Sequence, residues 1–239
     1  MGTTMYDILI VGTNGQAGQA GDNGQSATTA GANGTNGTYD KWDNPHCTTA
    51  TNGQPGQNAS TSGSKGTNGS NGQNAGAFFL SCTNFNVQAP LSILSQGGSG
   101  GNGGNGGNGG TGSNGGNAGQ QDSKCSSLPP ASGGNGGNGS DAGDGGDGGH
   151  GGDGGSILVQ YINASVTPPV YAQSLGSSGG IAGQAGNYGQ GGNGGLNGAA
   201  SGKAPTYAAA GADGNIGNVG NSGQSGAGGS VTVQKVDHF

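Results

Sequence analysis

The chain has 239 residues, 64 of them Gly, with 27% hydrophobic and 7% charged residues and a formal net charge of -6. So little apolar material excludes an ordinary globular core, and only five Lys and Arg exclude the electrostatic footprint of a nucleic-acid binder. Composition of this kind leaves a chain disordered unless something other than apolar burial offsets the backbone entropy, and here the fixed spacing of Gly argues for order.

In chain order, Met1 to Ile10 shows no basic n-region and no long apolar stretch, so neither a secretion signal nor a membrane span is expected. Alternating apolar residues predict a strand over 5–11. Gly then recurs every third residue at Gly12, Gly15, Gly18, Gly21 and Gly24, which is the polyproline-II period and predicts a glycine helix over 12–37. Residues 38–52 are polar, irregular and read as a loop. A second glycine helix is expected over 53–76. Strand-like segment 77–95 follows, read as a hairpin turning near Asn84. Denser Gly-Gly-Asn triplets mark a third helix over 97–119, and 120–132 reads as a loop. Gly-Gly-Asp triplets mark a fourth over 133–155, followed by a second hairpin in 156–172 with its turn near Asn163 to Pro169. Helices are expected again over 176–198 and 211–229, separated by a loop over 199–210 and followed by a strand over 230–236. Where Gly lapses from its slot the substitute is small, as at Ala27, Ala118, Ala142 and Ser113.

The succession strand, glycine run, loop, glycine run repeats with a period of about 80 residues. This gives one domain of three pseudo-repeats, about 1–85, 86–165 and 166–239. The fold expected is mostly irregular and polyproline-II: a bundle of about six antiparallel polyglycine-II helices, with a small β-sheet cap at one end and loops at the other. A helix of that kind makes no internal hydrogen bonds, so its backbone groups must pair with neighbours, which absent side chains permit. Paired-Gly runs offer two smooth faces and are expected inside, single-Gly runs outside. Tyr6, Ile8, Phe79, Leu80, Ile157, Val159, Tyr161, Val231 and Val233 are the expected apolar anchor at the strand end. Collagen is excluded by the eight Pro and by the interruptions.

Chemistry-bearing constellations are absent from the pattern. Asp141, Asp144, Asp147, His150 and Asp153 form a stripe, but residues one turn apart lie ~9 Å from each other in such a helix, too far for one ion. The stripe reads as a solvated face. His46, His150 and His238 are scattered, and no nucleophile motif surrounds a Ser or Cys, so no enzyme, metal or cofactor is expected. Matches to G-x-G-x-x-G and the N-x-S/T triplets, Asn58 and Asn163 among them, follow from abundance. Cys47, Cys82 and Cys125 are an odd set without metal-ligand spacing, and a loop-to-loop bridge between Cys47 and Cys125 stays open.

The loop Tyr39-Asp40-Lys41-Trp42-Asp43-Asn44-Pro45-His46 holds the only Trp together with charges of both signs, in a chain otherwise poor in both. Trp and Tyr supply binding energy at low entropy cost, so this loop is the expected recognition element, beside the loops carrying Lys124 and, in the last case, Lys203, Pro205 and Tyr207.

Glycine runs such as Gly100 to Gly110, alternating with irregular aromatic loops, resemble the long-tail-fibre tip adhesins of T-even-like bacteriophages. The resemblance covers most of residues 12–229 and is architectural. It implies a polyglycine-II sandwich presenting variable loops to a bacterial outer-surface protein or glycan, located at a tail-fibre tip or otherwise outside the cell. Receptor contact then falls on Tyr39, Trp42, His46, Lys124 and Tyr207, and the strand end docks onto a trimeric fibre or self-assembles. The family's separate N-terminal attachment domain finds no counterpart, and its bundle has more helices. Two other classes compete: a structural subunit of an extracellular filament or surface layer, joined through its strand end, and an antifreeze protein of the springtail kind, against which the Asp stripe and the bulky loops argue. Mycobacterial glycine-rich surface proteins carry similar Gly-Gly-Asn repeats.

Overall fold

The computed structural model describes residues 6–42, 44–87, 89–164, 169–199 and 204–239. Its strands, in chain order, are β1 (Ile8–Val11), β2 (Tyr39–Asp40), β3 (His46–Cys47), β4 (Phe78–Phe85), β5 (Leu91–Gln96), β6 (Ile157–Ala164), β7 (Val170–Leu175) and β8 (Val231–Lys235). A single 3-10 turn spans Ser123–Cys125. One sheet has the order β1-β5-β7 and another β4-β6-β8, all neighbours parallel, while β2 and β3 form a small antiparallel pair.

These elements correct the expected fold class. The described residues hold no helix besides the 3-10 turn, and the regular structure is parallel β-sheet, in place of a bundle of antiparallel polyglycine-II helices. The physical reason is the direction of the hydrogen bonds. The glycine-rich segments donate sideways and continue the strands that precede or follow them, so each segment extends a layer already fixed by a sheet. Segments 12–37, 97–119 and 176–198 lie side by side and parallel: Gly12 N–H donates to the Gln96 carbonyl at 2.9 Å and Gly100 to Ser178 at 2.9 Å. Segments 53–76, 133–155 and 211–229 form the second layer, with Gly53 donating to Ser132 and Gly139 to Ala212, both at 2.9 Å. Antiparallel bonds join the layers, as from Gln73 to Thr13 at 2.9 Å and from Gly152 to Gly98 at 2.8 Å. The two paired-Gly runs lie in the middle of their layers, where neighbours occupy several sides.

The hairpin expectations are corrected too. Phe78 to Leu94 does hold two strands, but β4 and β5 belong to different sheets, and β6 and β7 are split in the same way. With each pair of strands divided between the two sheets, apolar residues of both strands face inward. Phe85, Ile93, Ile157 and Val159 are buried there, with Ile8, Phe78, Leu80 and Tyr161 packed against them and the Phe85 and Tyr161 rings stacked at 5.5 Å. Each fully buried Ile or Val contributes about 1.5–3 kcal/mol. Among the expected anchors Phe79, Val231 and Val233 are exposed. Strand parity puts Phe78 inward and hence Phe79 outward, and β8 is an edge strand with a single neighbour.

Asn has a specific place in the layers. The Asn14 side-chain oxygen accepts the Ser99 N–H at 2.9 Å while the next residue, Gly15, donates to the Ser99 carbonyl at 2.8 Å. Asn23 and Gly24 grip Asn108 in the same way, as Asn68 and Gly69 grip Asp147. The side-chain amide thus acts as an extra carbonyl, and each layer is stitched by a row of such clasps. The Asp stripe belongs to the row: Asp141, Asp144 and Asp147 accept from both the backbone and the side-chain amides of Asn215, Asn218 and Asn221, at 2.6–3.1 Å. His150 accepts the Gln224 N–H through Nδ1 at 2.9 Å, which places its ring hydrogen on Nε2.

Candidate functional site

The end of the layers opposite the sheets is built from the described residues of loops 38–52, 120–132 and 199–210. In the first, β2 and β3 pair Tyr39 with Cys47 and Asp40 with His46. Asp40 closes the turn between them by accepting the Trp42 N–H at 2.9 Å, the Asn44 N–H donates to the Trp42 carbonyl at 2.6 Å, and His46 Nδ1 donates to the Asn44 carbonyl at 3.0 Å. Such short-range bonds by Asp and Asn are what these residues supply at turns.

The second loop locks onto the first. Cys47 and Cys125 are disulfide-bonded with a Cα separation of 5.8 Å, Cys125 being fully buried. Gln121 adds a two-handed clamp, accepting the Ala50 N–H and donating to the Thr48 carbonyl, both at 2.9 Å. Asp122 accepts the Lys124 N–H at 2.9 Å and so starts the 3-10 turn. That turn places the Lys124 ammonium 5.2 Å from the Tyr39 ring centroid, and Lys41 sits 4.8 Å from the Trp42 ring, both cation–π distances.

Tyr39, Trp42, His46 and Lys124 are therefore brought onto one braced platform. Trp42 is 73% exposed on it. Tyr207 is held separately: it bridges to Leu196 beside a bond from Asn197 to the Thr206 carbonyl at 2.8 Å, and it is 67% exposed. Lys203, expected in the same loop, lies outside the described residues, as do Asp43 and 200–202. A cleft of about 200 Å³ opens beside the platform, lined by Gln121, Asp122, Ser123, Ser126, Leu128 and Pro130. Nothing in the sequence singles out Gln121, an ordinary polar residue whose role depends on chain 71 positions away. Among the described residues no group of three or more His, Cys, Asp or Glu could hold a metal ion, and no helix is long and apolar enough to cross a membrane.

No family model matches the chain, and no curated protein matches it. Among solved structures it is similar to a springtail antifreeze protein from Granisotoma rainieri, a nine polyproline type II helical bundle whose crystal waters match the ice lattice. That likeness is 22% identity over 96% of this chain and 100% of the other, at a TM-score of 0.13, too low to carry an argument.

Proposed function

We propose that the protein is a non-enzymatic recognition module that presents its loop end to a bacterial outer-surface protein or glycan. The observation that carries this reading is Trp42: a large aromatic side chain left 73% exposed on a loop that a disulfide and the Gln121 clamp hold rigid. An exposed aromatic on a fixed backbone gives contact area with little ordering cost on binding. The disulfide suits an oxidising, extracellular setting. Purified protein, labelled away from the loops, is expected to bind the surface of a susceptible bacterium. Trp42→Ala is expected to weaken that binding by roughly thirtyfold, the scale of an interface hot spot, without lowering the melting temperature. Equal binding by the variant and the parent would remove Trp42 from the site and with it the reason for this reading.

A second reading, a filament or surface-layer subunit joined through the sheet end, is favoured by the outer sheet faces. Leu9, Val11, Tyr171 and Leu175 are exposed on the β1-β5-β7 sheet and Phe79 on the other, beside unpaired strand edges. Electron microscopy with a label in the loop over 38–52 separates the two: single labelled tips support recognition, and continuous fibres with repeating labels support assembly.

A further inference from the structure

Asn followed by Gly is the dipeptide most prone to spontaneous deamidation, because the unhindered Gly nitrogen can reach the Asn side-chain carbon. This chain repeats the dipeptide along its whole length, and the clasps bear on both reacting groups at once. In Asn102-Gly103 the side-chain oxygen accepts the Ile181 N–H at 3.0 Å while the attacking nitrogen donates to the Ile181 carbonyl at 2.8 Å. Asn105-Gly106 is held by Gln184 and Asn108-Gly109 by Asn187, in each case with bonds of 2.8 and 2.9 Å. Both reacting groups are thus engaged by one residue of the neighbouring segment, and must leave it before they can meet.

Segment 176–198 is the last in its layer and has no further segment to clasp. Asn193 is exposed there, and among the described residues neither its side chain nor the Gly194 N–H has a hydrogen-bond partner. One triplet earlier the equivalent nitrogen, Gly191, is met by the Asp213 carboxylate at 2.8 Å. The antiparallel register, in which Gly211 donates to Gly192 and Ala208 to Gly195, places Ala210 at the corresponding position opposite Gly194. Ala has no acceptor to offer. The local sequence does not distinguish these sites, since residues 101–104, 104–107, 107–110 and 192–195 all read Gly-Asn-Gly-Gly.

We propose that Asn193 is the deamidation site of the folded protein, and that the clasps keep Asn102, Asn105 and Asn108 unreactive. The Gly194 nitrogen, losing its proton, bonds to the Asn193 side-chain carbon, the side-chain amide leaves as ammonia, and water opens the resulting succinimide to aspartate or isoaspartate. The product puts a new negative charge beside Tyr207, which lines the same groove as Asn193, Gly194 and Ala210.

The test is prolonged incubation of the intact protein in mildly alkaline buffer, followed by peptide mapping and mass spectrometry. Asn193 is expected to convert roughly tenfold or more faster than Asn102, Asn105 and Asn108, because reaction at a clasped site requires local opening. In denaturant the four sites are expected to react alike. Ala210→Asp, which supplies the missing acceptor, is expected to slow Asn193 alone. Similar rates at all four sites in the folded protein would overturn the proposal. So would a preference for Asn193 that persists in denaturant, or an unchanged Asn193 rate in the Ala210→Asp protein.

Discussion

The Ser95 hydroxyl accepts the Gly155 N–H at 2.9 Å across the two layers and donates to the Gly76 carbonyl at 3.3 Å, joining three segments where strands pass into glycine-rich chain. Ser174 repeats the relay one position along, accepting from Gly229 at 2.8 Å and donating to Gly155 at 2.7 Å. Ser95 is completely buried. Ser95→Ala strands the Gly155 N–H without a partner or water, and is expected to cost about 1–3 kcal/mol, read from chemical denaturation.

Glycine positions divide sharply by what surrounds them. A Cβ at Gly104 would fall on the Gln19 carbonyl, in the interior of the layers. Gly104→Ala is expected to destabilise by at least about 1–3 kcal/mol, because backbone cannot move aside as a side chain can. At Gly76 the nearest atom to a new Cβ is Ile10 Cγ2, at an ordinary 3.6 Å. Gly76→Ala is expected to be neutral or to stabilise by about 0.4–1 kcal/mol, by restricting the unfolded chain. Thermal melts of the two variants should move in opposite directions or differ widely.

The disulfide between Cys47 and Cys125 closes a loop of 78 positions. Its loss in a Cys47→Ser/Cys125→Ser protein is expected to reduce stability by about 2–4 kcal/mol, measured under non-reducing conditions. Limited proteolysis should then cut first within 38–52 or 120–132, since the bond fastens those loops to each other. Cleavage elsewhere would place the weakest point of the fold outside the loop end.

Acid should loosen the second layer. The backbone N–H of Asn218 holds the Asp144 carboxyl below its ordinary value of 3.8, aided by the Asn218 side chain, and Asn221 does the same for Asp147. As these groups titrate lower in the folded state, the unfolded chain binds more protons in acid. The stabilisation is complete above 3.8 and is lost as pH falls through the lowered folded values. Melting temperature is therefore expected to drop in that window. An Asp144→Asn/Asp147→Asn protein, which keeps the acceptor oxygens but cannot titrate, should show a shallower drop. An unchanged slope would mean that other groups govern acid stability.

Much of the site was legible from composition. Tyr39 and Trp42 stand out in a chain this poor in aromatics, and Lys124 lies in a segment visibly unlike the glycine runs. The bracing was legible only in part. A bridge between Cys47 and Cys125 was open to the sequence because both fall in loops and Cys82 in a strand, but the clamp by Gln121 depends on which loops meet, and nothing local encodes that. Phe79 was misplaced because its neighbour Phe78 is equally apolar, so alternation alone left the inward face of β4 undecided.

By itself the sequence determined that the backbone, and no apolar core, had to satisfy most of the fold: small residues recur at every third position because a neighbouring carbonyl lies where a Cβ would be. It also marked the loops and the apolar strands by their composition. Only the tertiary structure decided which segments pair. It placed parallel neighbours 79 positions apart, as with Asn102 and Ile181, in two layers continuous with parallel sheets. The reason is that a three-residue period is the same in every segment, so it fixes how any two can approach but carries no record of which two do. The same indifference explains why identical Gly-Asn-Gly-Gly stretches acquire different surroundings: those over 101–110 have a neighbour in their layer to hold, and the one over 192–195, at the edge, does not.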